Sequence, residues 1–172
     1  CFNKNQIKMK KIGSIIITVI LLLSCNNTPR VIETIDSDWN PVQSLGQLQV
    51  KGRYLCSEKG DTVTLRGVSY GWHNLWPRFY NAQTVKWLKN DWKCSVLRAA
   101  MGVYLEDNYL NNPEFALGCI EPVVQASIEE GVYVIIDWHA HDFYPQEAKD
   151  FFGAMARKYG KHPNVIYEIF NE

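Results

Sequence analysis

Four apolar runs at a nearly constant interval constrain this chain more than any other feature. They cover residues 63–70, 94–101, 132–138 and 164–170, so successive runs begin about 31 to 38 residues apart. The third is apolar at almost every position, as a strand buried on both faces should be. The segments between them carry apolar residues at helical spacing. Residues 82–92 place Val85, Leu88 and Trp92 on one face, and residues 146–159 do the same with Phe151, Phe152, Met155 and Tyr159. A third helical segment over 113–130 stops at Gly131, and Gly160 ends the segment over 146–159. Pro122 predicts a kink or a restart within 113–130. Repeated strand–helix units of this length imply a parallel sheet, either doubly wound or closed as a (β/α)8 barrel. No G-x-G-x-x-G follows any run, which removes the main support for a dinucleotide-binding sheet. A barrel needs eight units and roughly 250 residues. The expectation is therefore an α/β chain holding the first four units of a (β/α)8 barrel, behind an N-terminal β-hairpin over 47–55 that turns at Lys51-Gly52.

The amino-terminal stretch reads as an address rather than as part of the fold. Residue 1 is cysteine, and from Met9 the chain reads MKKIGSIIITVILLLSC. Two lysines precede an apolar run over 12–23, shorter than the ~20 residues a bilayer span needs, which is the pattern of a signal peptide. Leu22-Leu23-Ser24-Cys25 resembles the lipobox of bacterial lipoproteins, where the cysteine is lipidated and becomes the new N-terminus. Residues 1–8 are then upstream read-through or fragment, 9–24 signal peptide, 25–45 a lipidated N-terminus and linker, and 46–172 the folded domain. The protein is expected to be exported and held by Cys25 at the bacterial cell surface or outer membrane, with secretion as the alternative. The lipid is the only membrane contact expected.

Charge and composition narrow the partners. The chain has 18 basic and 18 acidic residues, but Lys4, Lys8, Lys10 and Lys11 all fall in the first 24. What remains is mildly acidic and has no electrostatic reason to bind nucleic acid. Six tryptophans suit a sugar-binding surface, although Trp87 and Trp92 are expected in the core. Cys56, Cys94 and Cys119 show no C-x-x-C spacing, so neither a disulfide framework nor a zinc site follows, and they read as small buried residues. No cofactor or metal is expected.

In a barrel, chemistry sits at the C-terminal ends of the strands and the opposite face is structural. Trp72 and His73 follow the first run, Arg98 lies late in the second, Trp138 and His139 end the third, and Asn171 and Glu172 end the fourth. Asp137, inside an apolar run, reads as either an interior partner for Arg98 or a catalytic acid, the partner role being favoured. His162 lies on the structural face and is given no function. A carboxylate at a strand end behind an amide, Asn171-Glu172, is the strongest of these signals.

LRGVS (65–69), VLRAAM (96–101), YVIIDWH (133–139) and NVIYEIFNE (164–172) resemble the strand motifs of glycoside hydrolase family 5, the cellulase A family. The likeness covers about residues 46–172 and is closest to bacterial endoglucanases. It implies a retaining hydrolase of β-1,4-glucan, with 46–172 as the N-terminal half of its catalytic domain. By position, the resemblance makes Glu172 the acid/base and Asn171 the donor to the sugar 2-hydroxyl. It gives Arg98 the task of holding the nucleophile ionised, and places His139 and His73 along the subsite of cleavage. Trp72, Trp76 and Trp138 become stacking platforms. Where relatives commonly carry tyrosine four residues after the arginine, this chain has Gly102, and Tyr104 is the available replacement. The family's nucleophile lies on a seventh strand, beyond residue 172; Glu168 and Glu106 match no such motif. Two other readings remain open. His139-x-His141 followed by Asp142 could mark a metal-dependent barrel hydrolase, which a metal assay would separate. A non-catalytic glycan-binding surface lipoprotein would lack a second strand-end glutamate.

Overall fold

The computed structural model describes residues 39–172. The expected signal segment, Cys25 and residues 26–38 of the expected linker, or tether, lie outside the described residues. One part of that tether proves to be structured. Pro41–Leu45 forms a short helix, α1, capped by Asn40, whose side chain accepts from Gln43 N–H at 2.8 Å. Val42 N–H donates to Gly131 O at 3.1 Å and Glu58 N–H to Leu45 O at 2.8 Å. Residues 41–45 thus belong to the fold and not to a linker. The reason is local: Asn at the cap and Pro at the first helical position make a strong start signal.

The hairpin follows as expected. Strands β1 (Gln49–Lys51) and β2 (Tyr54–Cys56) pair antiparallel, with Gly52 supplying the left-handed residue of the turn at φ 61°. Val63 N–H donates back to Leu55 O, so the start of the first apolar run is drawn to the hairpin. Strand β3 consequently begins only at Gly67 and runs to Trp72.

Strands β4 (Val96–Gly102), β5 (Tyr133–His139) and β6 (Val165–Glu168) complete a four-stranded parallel sheet ordered β3-β4-β5-β6. Helices α2 (Ala82–Trp92), α3 (Pro113–Glu130) and α4 (Pro145–Tyr159) are the crossovers. Each new strand adds beside the last and the order never reverses, which is barrel winding rather than doubly wound winding. Asn81 caps α2 by accepting from Thr84 N–H, and Asn112 caps α3 by accepting from Phe115 N–H. Gly131 ends α3 at φ 69°. Pro122 lies inside α3 without interrupting it, so of the two expected outcomes the restart does not occur. Ile120, Val123 and Val124 around it are fully buried, and that packing outweighs one lost backbone bond.

Strand alternation divides the side chains. Leu97, Ala99 and Met101 of β4 and Val134, Ile136 and Trp138 of β5 face the helices. There they meet Val85 and Leu88 of α2, the buried stripe of α3, and Phe151, Met155 and Tyr159 of α4. Arg98, Asp137 and His139 take the other face. Cys56, Cys94 and Cys119 are buried free thiols. Trp87 and Trp92 are a correction to the expected core: they are 47% and 58% exposed and pack on each other at 5.4 Å. With Val68, Tyr70 and Phe79 they line an apolar depression beside the β3 edge that has no strand partner among the described residues. Also among the described residues, no helix is long and apolar enough to cross a membrane.

Candidate active site

The register of the sheet assembles the polar cluster. Ser69, Arg98, Ile135 and Ile166 are level across the four strands, and Ala100, Asp137 and Glu168 form the next inward layer. Arg98 reaches up from its layer into the one above. Its Nε and Nη2 grip both oxygens of Glu168 at 2.8 and 2.7 Å, a two-pronged contact that suits the planar guanidinium. Nη2 also meets Asp137 Oδ2 at 2.9 Å and donates to Asn171 Oδ1 at 3.0 Å. Asp137 Oδ2 receives His139 Nδ1–H at 2.7 Å. The expected Arg98–Asp137 pairing is present, and Arg98 has a second carboxylate partner, Glu168, that sequence reading passed over. A lone acid in an apolar run, the same signal that marked Asp137, was there to find it.

The electrostatics follow from burial and contact. Asp137 is fully buried, and loss of hydration pushes its carboxyl up to about 6 against the opposing pull of His139 and Arg98. The hydrogen bond from Arg98 holds Glu168 below its usual range, and the same bond raises Arg98 further. Asn171 is oriented by this network. Its carbonyl oxygen is taken by Arg98, and its buried Nδ2 has no partner among the described residues. An amide with its acceptor occupied and its donor free is set to bond an oxygen on a ligand. Glu172, next in the chain, is 79% exposed at its side chain and stands 3.7 Å from His141 Nε2.

An aromatic group flanks the cluster. Trp72, at the end of β3, stacks along Tyr104 at 6.1 Å and 30° and meets His139 and His141 edge-on at 4.9 and 5.8 Å. Tyr104 Oη accepts His141 N–H at 3.1 Å. Tyr104 therefore does reach the strand-end rim from the β4–α3 loop. Trp76 is exposed on the turn after β3, with the Arg78 guanidinium 5.5 Å from its ring.

Two residues expected to meet substrate do not. Trp138 is 1% exposed and packs on Tyr109 at 5.5 Å and Phe151 at 5.6 Å. It adjoins His139 in sequence, so strand alternation sends it to the helix side, and it cannot serve as a stacking platform. His73 is fully buried. Its Nδ1 accepts Gly102 N–H at 3.0 Å, which puts the ring proton on Nε2, 3.1 Å from Asp107 O. Burial pulls its pKa down to about 4, so it is neutral in ordinary conditions. It fixes a loop rather than lining a subsite. His139 and His141 do not gather a metal site: among the described residues no three His, Cys, Asp or Glu side chains converge on one point.

Comparison with known proteins agrees with this arrangement. The family described as Cellulase (glycosyl hydrolase family 5) matches residues 56–172. Endoglucanase Z of Dickeya dadantii is 45% identical over 139 residues, covering 77% of this chain and 32% of its own length. Endoglucanase N of Pectobacterium atrosepticum is 42% identical over 137 residues, covering 77% and 30%. A solved structure from Cytophaga hutchinsonii is 48% identical with a TM-score of 0.75, over 77% of this chain and 44% of that one. The catalytic domain of a Thermobifida fusca endoglucanase, solved in complex with cellotetraose, is 33% identical with a TM-score of 0.70, over 77% and 45%. The chain spans about a third of the length of these curated relatives. Its sheet is four consecutive strands of the family's (β/α)8 barrel, and the chain belongs to glycosyl hydrolase family 5, the cellulase family.

Proposed function

We propose that the complete protein hydrolyses β-1,4-linked glucan within the chain, by double displacement with retention at the anomeric carbon. The observation that carries this reading is the Asn171 amide. Arg98 holds its oxygen, its nitrogen is a donor without a partner among the described residues, and Glu172 follows it at the sheet's C-terminal rim. A donor placed so can bond a sugar 2-hydroxyl, a contact that strengthens as the ring gains oxocarbenium character. Glu172 would give its proton to the glycosidic oxygen as a second carboxylate, from outside the described residues, attacks the anomeric carbon. The ionised Glu172 would then take a proton from the water that releases the glycosyl-enzyme. Such a pair works at about 5–5.5 Å separation. Endoglucanase relatives, one of them holding cellotetraose, support a β-glucan as the ligand.

The test is Glu172→Gln in the complete enzyme. Natural glucans have a poor leaving group that needs the proton, so their turnover is expected to fall by roughly 10²–10⁴-fold. Aryl glycosides with an acidic phenol need little help in the first step, so the glycosyl-enzyme is expected to accumulate. Azide attacks without a general base and should restore turnover, giving a β-configured glycosyl azide. An α-configured azide would make Glu172 the nucleophile instead. Near-normal glucan hydrolysis by the variant would refute the assignment.

A further inference from the structure

Asn74 belongs to no part of the strand-end cluster, yet it is tightly placed beside it. Its Nδ2 donates to two carbonyls of the β4–α3 loop, Tyr104 O and Glu106 O, each at 2.9 Å. Its Oδ1 is buried with no hydrogen-bond partner among the described residues. The space around that oxygen exists because residue 102 is glycine: a Cβ there would lie 2.6 Å from Asn74 Oδ1 and 3.2 Å from Trp72 Cε3. The loop it grips is strained, with Leu105 at φ 68° and Asp107 at φ 54°, conformations that side chains other than glycine seldom adopt. His73 holds the same loop at Gly102 N–H and Asp107 O. What these bonds hold in place is Tyr104, stacked along Trp72 and bonded to His141 N–H.

We propose that Asn74 is a positioning residue that keeps Tyr104 against Trp72 as one aromatic wall of the glucan cleft, and that Gly102 is the vacancy which admits it. The inference rests on the glucan-hydrolase reading above. A sugar presents flat C–H faces, and a rigid aromatic wall binds them without first paying to order a loop. Burying an amide oxygen without a partner is costly. That cost persists here because the same amide's two donors hold the loop in a shape it would otherwise leave. Asn74 acts on how tightly the glucan is held, and the bond-breaking step at Glu172 proceeds without it.

The experiment measures kcat and KM on soluble cello-oligosaccharides, and amide exchange over residues 104–107, in the complete enzyme. Asn74→Ala is expected to raise KM about 5- to 10-fold with a much smaller change in kcat, the signature of lost binding that is uniform through the reaction. Exchange at 104–107 should quicken. In a Tyr104→Ala background, Asn74→Ala should raise KM no further, because it acts through that ring. Gly102→Ala should reproduce Asn74→Ala, since the new Cβ displaces the amide. If Asn74→Ala fails to fold, Asn74→Asp keeps the shape without the N–H donors and should show the same KM shift. A lowered Tm with unchanged KM, or full additivity with Tyr104→Ala, overturns the inference while leaving the proposed activity intact. A wild type that neither binds nor cleaves any β-glucan overturns both.

Discussion

At the scale of single residues, the site is a set of side chains whose states are fixed by what touches them. His73 makes the point with a measurable consequence. In the unfolded chain it takes a proton near pH 6.5, but in the fold only near about 4, because burial opposes its charge. Its contribution to stability is therefore complete above pH 6.5, declines as the pH falls, and is gone below about pH 4. The shift corresponds to about 3 kcal/mol as an upper figure. Asp137 works in the opposite sense. Its folded-state pKa of about 6 lies above the ordinary value, so the folded chain holds a proton between about 4 and 6 that the unfolded chain has released. Denaturation curves of wild type and His73→Gln separate the two. The wild type should lose stability relative to the variant as the pH falls from 6.5 to 4, with Asp137 cancelling in the difference. A difference that stays flat across that range would refute the assignment of His73 as a neutral buried clamp.

At the scale of elements, the helices show how end signals are read. Two glycines, one inside α3 and one just past its end, sit in different circumstances. Gly131, its C-terminal stop, sits at φ 69°, and a Cβ there would lie 2.3 Å from Asn40 Oδ1, the atom that caps α1. Gly118 lies inside the helix, and a Cβ there would meet nothing within 4 Å. Gly131→Ala is expected to destabilise by about 2–3 kcal/mol, combining the left-handed backbone penalty with loss of the α1 cap. Gly118→Ala should stabilise by about 0.5–1 kcal/mol through helix propensity. Thermal or urea unfolding of both variants checks the contrast. A destabilising Gly118→Ala would show that Pro122, whose ring abuts the carbonyl four residues back, relies on the glycine's freedom there.

At the scale of the whole molecule, the sheet has β3 at one edge and β6 at the other, neither with a further strand among the described residues. The two seams are also the apolar ones. Trp87, Trp92 and Phe79 lie beside β3. Beyond β6, Phe143 and Phe170 stack at 4.9 Å over a cavity of about 440 Å³ lined also by Trp138, Phe152 and Ile169. Unpaired strand edges flanked by exposed aromatic rings are association surfaces. Residues 39–172 expressed alone are therefore expected to bind a hydrophobic dye, to elute larger than a monomer, and to turn over no soluble β-glucan. A monomeric fragment with a sharp, cooperative thermal transition would contradict this.

The sequence by itself determined the strand–helix repeat, the hairpin, the helix ends, and the placing of Arg98, His139, Asn171 and Glu172 at one end of a parallel sheet. These rest on local chemistry, namely periodicity and glycine stops, that acts within a few residues. Strand parity was legible too, and applied to Asp137-Trp138-His139 it already separates Trp138 from its neighbours. Only the tertiary structure decided the rest. The grip of Arg98 on Glu168 spans 70 residues of chain, and the hold of Asn74 on Tyr104 spans 30. That Gly102 is a space for Asn74 depends on which strand end lies opposite it. The burial of His73 depends on Tyr80 and Phe115 closing over it. Contacts between distant segments have no period and no local signature, so they become visible only when the sheet sets its strands in register.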